Sequence, residues 1–171
     1  LLLYRQMGLS PEQLDFLENS LDVIQRVLVG IMPALVVGST LMVMWISLLA
    51  SRRLCRWQGL AVPDYGPLDR WKAPEILVWG VIASGGLLLM PIAGAKMLGL
   101  NGLIVFLVVY FFQGIAIVAY FFQKKRIPRL ARVVIYGLIA IQQVVMLTVV
   151  GIGFFDTWFN FRKLEKPLAP G

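Results

Sequence analysis

The sequence contains no histidine and a single cysteine, Cys55. Histidine is the commonest general base and metal ligand near neutral pH, so the usual centre of an acid–base or metal site is missing. A lone cysteine cannot form a disulfide within the chain, and its position among arginines favours a reduced, structural thiol. No phosphate-binding loop, nucleotide fingerprint, zinc-ligand spacing or catalytic triad pattern is present. The sequence therefore predicts a protein that is not an enzyme and uses no cofactor or metal.

Charged residues are also scarce, at 15% of the chain against 59% hydrophobic residues, with a mean hydropathy of +0.80. Soluble domains have about 25% charged and about 45–50% apolar residues. The net charge is nevertheless +7. The Lys and Arg residues stand next to apolar segments, where the positive-inside rule and anionic headgroups explain them better than a nucleic acid does. The composition predicts a protein that sits in a lipid bilayer and does not bind nucleic acid.

Four apolar runs are long enough to cross a bilayer as helices, over about residues 27–50, 76–95, 101–123 and 133–153. Lys96 to Leu100 is predicted to be a tight connection between the second and third runs. No Asp, Glu, Lys or Arg lies in the middle of a run, which argues against a proton pump or ion channel formed by this chain alone. The predicted fold is an all-α, polytopic transmembrane bundle of four spans in a single membrane domain, 1–171.

An amphipathic helix over about residues 10–27 is predicted before the first span. Ser10 is a good N-cap, Pro11 suits the first helical position, and Glu12 favours the positive end of the helix dipole. Apolar residues recur at alternating three- and four-residue spacing: Leu14, Leu17, Leu21, Ile24 and Leu28. The helix is predicted to lie outside the cytoplasm and to continue into the first span, with a bend near Pro33. It either packs on neighbouring helices or offers a docking surface or a lid over a substrate site.

The Lys and Arg residues orient the predicted spans. Loops 51–75 and 124–132 carry ten of the 16 Lys and Arg residues of the chain. The positive-inside rule places these two loops in the cytoplasm. Both ends of the chain, including the tail 154–171, are then predicted on the opposite side.

Uncharged polar side chains at membrane depth are the predicted site residues. Gln113 lies in the middle of the third run, and Gln142 and Gln143 lie in the middle of the fourth. A buried amide needs a partner, so these glutamines either bond between helices or line a polar cavity. Together with Trp79 and Tyr110 they form the predicted substrate pocket.

Small residues four positions apart mark two helix faces that allow close approach of another helix. Gly30, Ala34 and Gly38 form one face in the first run, and Gly80 and Ser84 form another in the second. These faces are predicted to pack against helices of the same chain or to contact a partner subunit.

The motif FFDTWFNFRK begins the predicted interfacial tail. It combines one acid with aromatic and basic residues: Asp156, Trp158, Arg162 and Lys163. Such a motif is typical of an interfacial belt, in which Asp156 pairs with Arg162 or caps a short helix. The alternative is that Asp156 binds a ligand at the mouth of a cavity.

Three segments, WKAPEILVWG, YFFQGIAIVAYFFQKKR and GFFDTWFNFRK, occur in an order that resembles the YybS-like bacterial membrane proteins, a family of unknown function. The resemblance covers most of the chain from about Ser10 onward. It implies a multi-pass protein of the bacterial cytoplasmic (inner) membrane, of which this chain is the C-terminal half. The hydropathy of the family is similar to that of the substrate-binding S subunits of energy-coupling-factor vitamin transporters. That similarity would make Gly30, Ala34 and Gly38 a contact for a transmembrane coupling partner.

The leading functional hypothesis is a non-enzymatic, transport-related or substrate-binding subunit, built around an uncharged pocket and energised by a partner. The alternative is a scaffold or assembly subunit of a larger membrane complex, with the acidic amphipathic helix as its docking element. The expected partners are the lipid bilayer and either other membrane protein subunits or an N-terminal half of the same protein.

Overall fold

The computed structural model of the chain describes residues 11–59 and 68–162, and all regular structure in that part is helical. The predicted all-α class is confirmed. A single 3₁₀ turn, Leu68–Arg70, precedes the second helix. The five α-helices are α1 (Pro11–Trp57), α2 (Leu77–Leu89), α3 (Ala93–Lys124), α4 (Arg129–Ile141) and α5 (Gln143–Phe159).

The amphipathic segment and the first apolar run form one continuous helix, as predicted. Helix α1 has 47 residues, with Pro33 inside it, and is therefore about 70 Å long at 1.5 Å per residue. The predicted N-cap, Ser10, lies outside the described residues. The side chains of 12–29 are almost all exposed, so this end of α1 extends beyond the helices that pack on the rest of it.

Two helices, α1 and α3, are each long and apolar enough to cross a bilayer. Helices α4 and α5 would make a third span only as a pair, and they are bent by 100° at the break between them. Helix α2 has 13 residues, about 20 Å of helix, which is shorter than a hydrocarbon core of about 30 Å. The prediction of four spans is thus not confirmed.

Two predicted boundaries are wrong for physical reasons. Pro91 has no backbone N–H, and the chain leaves helix over Met90–Ile92, so the segment Lys96 to Leu100 is helix within α3 rather than a connection. The fourth predicted span is not one helix, because Gln142 has an extended backbone (φ −91°, ψ 107°) that ends α4 and begins α5. Neither proline nor glycine marks that second break.

Helix α3 is the centre of the fold, with α1, α2, α5 and the 3₁₀ turn packed on it. Helix α1 runs parallel to α3. Gly30 faces Met97 near the start of α3, and Trp45 stacks on Phe112 further along both helices, with ring centroids 4.8 Å apart.

Helix α2 runs antiparallel to α3. Gly80 faces Phe106, whereas Ser84, further along α2, faces Gly99, which is earlier in α3. Since α1 and α3 are parallel, the chain returns between them through the segment 68–76 followed by α2. Part of this return is therefore made by backbone that is not helical.

Candidate functional site

Residues 68–76, which we call the return segment, reach deep into the helix packing, mostly without regular structure. After the 3₁₀ turn, residues 71–74 have no regular secondary structure, and α2 begins only at Leu77. Ala73 lies against Gln113, which is about 16 Å along α3 from Lys124. In a bilayer spanned by α1 and α3 this backbone lies at membrane depth, where water cannot satisfy its N–H and C=O groups. These groups need protein partners.

Gln113 supplies the first partner. Its side-chain Oε1 accepts the N–H of Ala73 at 3.1 Å, and its Nε2 donates to Asp156 Oδ2 at 3.2 Å. Gln113 is 0% exposed. The two bonds set the orientation of the amide, because the reversed amide would place a donor against the N–H of Ala73. Of the two roles predicted for the glutamines, the geometry at Gln113 is that of a bond between segments.

Asp156 and Arg162 form a buried ion pair, as the tail motif predicts. Arg162 Nη2 lies 2.9 Å from Asp156 Oδ2, and the two side chains are 0% and 1% exposed. Asn160 adopts left-handed backbone angles (φ 42°, ψ 56°) that end α5 and fold the chain back. The N–H of Phe161 then donates to Asp156 Oδ1 at 2.8 Å. The pair is thus buried in the protein and is not part of an exposed interfacial belt.

Arg162 also holds the return segment. Its Nη1 donates to the backbone carbonyls of Asp69 and Trp71, at 2.9 Å each. The hydroxyl of Tyr120 donates to the carbonyl of Arg162 at 3.2 Å. The two bonds from Arg162 and the bond from Gln113 to Ala73 together satisfy three backbone groups of the return segment, one in the 3₁₀ turn and two after it. We call Gln113, Asp156 and Arg162 the buried polar network.

These contacts correct the predicted position of Arg162 in the tail. Arg162 was expected on the side opposite to loop 51–75, yet it bonds directly to two residues of that loop, Asp69 and Trp71. The bend between α4 and α5 explains the difference, because the pair does not carry the chain straight to the other end of the bundle. The two basic loops themselves lie at one end, since Arg52 and Arg53 border a cleft together with Gln123 near the end of α3.

The other predicted pocket residues are not brought together. Gln142 and Gln143 are exposed at the break between α4 and α5, and Trp79 on α2 is 69% exposed. Tyr110 is 1% exposed and packs edge to face on Phe154, with ring centroids 5.1 Å apart. Gln113 and Tyr110 therefore share the core, without the other three residues.

The predicted small-residue faces both pack on α3. A side chain at Gly30 or Gly80 would collide with Met97 or Phe106, respectively, and Ala34 is 1% exposed. Gly38 faces Val108, and Ser84 faces Gly99 and Gly102. In the tail motif, Trp158 is 55% exposed and Lys163 lies outside the described residues. Within residues 11–59 and 68–162, no group of three or more acidic or cysteine side chains could hold a metal ion.

A second polar contact, which the sequence did not predict, lies beside Pro33. Asn101 Oδ1 accepts the N–H of Ala34 at 2.9 Å, and Asn101 Nδ2 donates to the carbonyls of Gly30 at 2.7 Å and Met97 at 2.8 Å. Gly30 C=O and Ala34 N–H are the pair that a regular helix would join to each other. Asn101 thus bonds α1 to α3 at the turn interrupted by the proline. The only signal in the sequence is a lone asparagine in an apolar run.

At Asn101, the substitution that is closest in shape is expected to lower the free energy of unfolding most. Asn101→Leu should cost only about 0.5–1.5 kcal/mol, because the freed Gly30 and Ala34 groups can bond each other. Asn101→Asp, the closest in shape, should cost about 1–3 kcal/mol more, because its carboxylate would face the carbonyls of Gly30 and Met97. Thermal unfolding of the purified variants in detergent measures this order. Equal stability of the two variants would show that the amide donates neither bond.

Comparison with known proteins agrees with this architecture. The profile of a family described as "Predicted membrane protein (DUF2232)" matches residues 1–157. The chain belongs to the DUF2232 family. Over 162 residues it is 25% identical to "Uncharacterized protein YybS" of Bacillus subtilis (strain 168), covering 93% of this chain and 51% of that protein. The chain thus spans about half the length of this curated relative. No solved structure matches.

The predicted resemblance to YybS-like membrane proteins is thereby confirmed. The similarity to energy-coupling-factor S subunits stays a prediction. Membership of the DUF2232 family identifies a membrane protein but does not identify its activity.

Proposed function

We propose that this chain belongs to a non-enzymatic, transport-related membrane subunit that binds a substrate and works with a partner protein. The observation that supports it is the return segment, whose backbone the buried polar network holds against the middle of α3, a position that would lie at membrane depth if α3 spans the bilayer. In transporters, irregular backbone at this depth is tolerated only where protein or a water-filled cavity surrounds it, and such broken helices form substrate sites.

The mechanism we propose uses the return segment as the moving part. Arg162 and Gln113 hold it by three hydrogen bonds to its backbone. The bonded groups are two carbonyls and one N–H, which nearly every residue type has. Side-chain bonds of this kind can be exchanged for others as the segment shifts, whereas a continuous helix would have to break its own ladder. A partner protein would supply the energy for the exchange.

The proposal includes an arrangement in the bacterial cytoplasmic membrane, with loops 51–75 and 124–132 on the cytoplasmic side. Segment 68–89 then acts as one interrupted crossing between α1 and α3, and α4 with α5 enters and leaves on the same side. The contacts of Arg162 with Asp69 and Trp71 support the second point. We do not propose the Gly30, Ala34 and Gly38 face as a coupling contact, because α3 covers it.

Native mass spectrometry of the full-length protein, gently extracted from its own membrane, tests the proposal. A small molecule that stays bound, and that is lost when the extracted protein is unfolded, would support a substrate-binding subunit. A co-purified protein without any small molecule would contradict it and favour a scaffold. Gln142→Leu is a control variant. This exposed residue lies apart from the buried polar network, so its substitution should leave the bound molecule in place.

A scaffold or assembly subunit is the second candidate, and one observation favours it. The first part of α1 carries exposed apolar side chains, with Phe16 at 72%, Leu21 at 56% and Leu28 at 56% exposure. Three acidic residues, Glu12, Asp15 and Glu18, are exposed on the same segment. A partner protein could cover this stretch.

Charge reversal separates the two candidates. If this segment docks a partner, Glu12→Lys, Asp15→Lys and Glu18→Lys together should release that partner in a pull-down by at least about tenfold, since like charges cost several kcal/mol at an interface. The folded chain should remain monodisperse, because these three side chains are exposed. Unchanged recovery of every co-purified protein would exclude this segment as the docking element.

A further inference from the structure

The end of α1 carries three arginines, Arg52, Arg53 and Arg56, directly after the apolar run. Arg53 and Arg56 are three positions apart and therefore lie on neighbouring parts of the helix surface. Both are exposed, and no ion pair joins either one to another part of the described chain. We call these two exposed side chains the arginine pair.

The arginine pair borders two separate depressions. On one side lies a cleft of about 610 Å³ between the ends of α1 and α3, lined also by Asp69 and Gln123. Among the described residues that line the cleft, the arginine pair outnumbers the single acidic side chain, Asp69. This excess of positive charge favours an anionic group.

The second depression is mostly apolar. It is a groove of about 960 Å³ along the surface of the last turns of α1, lined by the arginine pair, two serines (Ser47 and Ser51) and three apolar residues (Ala50, Leu54 and Trp57). Trp57 is 85% exposed, as expected for an aromatic anchor at the membrane surface. The groove therefore extends from the level of the headgroups back along the last turns of the span.

We propose that the arginine pair binds the phosphate of an anionic phospholipid, whose acyl chain lies in the apolar groove. A phosphate with an attached hydrocarbon chain matches a positive cleft and an apolar groove that share the same two arginines. A free phosphate would use only the cleft and would leave the groove empty. This inference does not depend on the proposed transport role.

Native mass spectrometry of the full chain from nanodiscs tests the assignment. The nanodiscs contain equal amounts of phosphatidylglycerol and phosphatidylcholine, and the retained lipids are counted. The wild type should retain phosphatidylglycerol preferentially. The double variant Arg53→Gln with Arg56→Gln should weaken this retention by about tenfold or more, since each basic residue contributes about 1 kcal/mol to anionic-lipid binding.

A charge-matched control separates a site from a generally basic surface. Lys125→Gln with Arg129→Gln removes the same charge from exposed residues of the second basic loop and should leave the preference for phosphatidylglycerol nearly unchanged. Equal losses in the two double variants would overturn the proposal.

Two further measurements distinguish the source of the phosphate. Ala50→Trp fills the apolar groove while leaving the arginine pair intact, so it should reduce lipid retention. Inorganic phosphate at millimolar concentration should compete only weakly. If phosphate competes strongly and Ala50→Trp has no effect, the site binds a soluble anion and the lipid assignment is wrong.

Discussion

Replacing Asp156 by asparagine is expected to lower the free energy of unfolding by about 3–5 kcal/mol, the usual cost of leaving a buried charge without its partner. The asparagine is close in size, so packing is nearly unchanged. Arg162, however, would keep its charge with a side chain 0% exposed. Its remaining partners, the carbonyls of Asp69 and Trp71, carry only partial charges. The variant should be recovered poorly from membranes and unfold at a lower temperature.

An exposed ion pair supplies the matched control for this prediction. Lys72 Nζ lies 3.2 Å from Glu75 Oε1, in the same return segment, with side chains 33% and 75% exposed. Exposed pairs contribute about 0–1 kcal/mol, so Lys72→Met should hardly change the unfolding temperature. Fluorescence-detected unfolding of both variants in one detergent gives the comparison. Similar small effects at Asp156 and Lys72 would mean that the first pair is not buried.

The double variant Asp156→Leu with Arg162→Met tests what the buried polar network is for. Replacing a buried ion pair by apolar residues of similar size is often neutral or even stabilising. Here it would also strip partners from Asp69, Trp71 and Gln113, which would then have unsatisfied polar groups. We therefore expect the double variant to regain only part of the unfolding free energy that Asp156→Asn loses. Full recovery would show that the return segment does not need these bonds.

The network also shows how far the sequence could predict this site. The pairing of Asp156 with Arg162 was predictable, because the two residues are six positions apart around a helix end. The burial of the pair was not, since it depends on residues about ninety positions away, at Asp69 and Trp71. Counting Lys and Arg then assigned Arg162 to the wrong end, because the count treats each basic residue as solvated and takes no account of a buried partner.

The helical class, the continuity of α1 and the central apolar runs were predictable from hydropathy and periodicity alone. The breaks between helices were harder to predict. Pro91 marks the end of α2 in the sequence, but the choice between a break there and one at Lys96 to Leu100 depends on where α3 can start to pack. The break at Gln142 has no local signal at all. It depends on how α5 crosses α3, which is a tertiary property.

The crossing of α5 over α3 gives the second large expected effect, a loss of stability when either of two glycines is replaced. Gly114 on α3 and Gly153 on α5 meet backbone to backbone: a Cβ on Gly114 would collide with the carbonyl of Val149, and one on Gly153 with the carbonyl of Tyr110. Backbone cannot move aside as a flexible side chain can. Gly114→Ala or Gly153→Ala should therefore destabilise the fold by about 1–3 kcal/mol through overpacking, even though alanine favours helix over glycine.

Gly151→Ala is the matched control, because it lies on the same helix as Gly153 and its added Cβ would meet no atom within 4 Å. There the helix preference acts alone, and the variant should be as stable as the wild type or more stable by up to about 1 kcal/mol. Opposite signs at two glycines two positions apart would locate the crossing.

The same alanines also probe the network, because Gln113 precedes Gly114 and its bond to Asp156 is already 3.2 Å long. Separating the helices by a few tenths of an ångström would break that bond, so Gly114→Ala and Asp156→Asn should not add when combined. Full additivity would mean that the crossing and the network are independent.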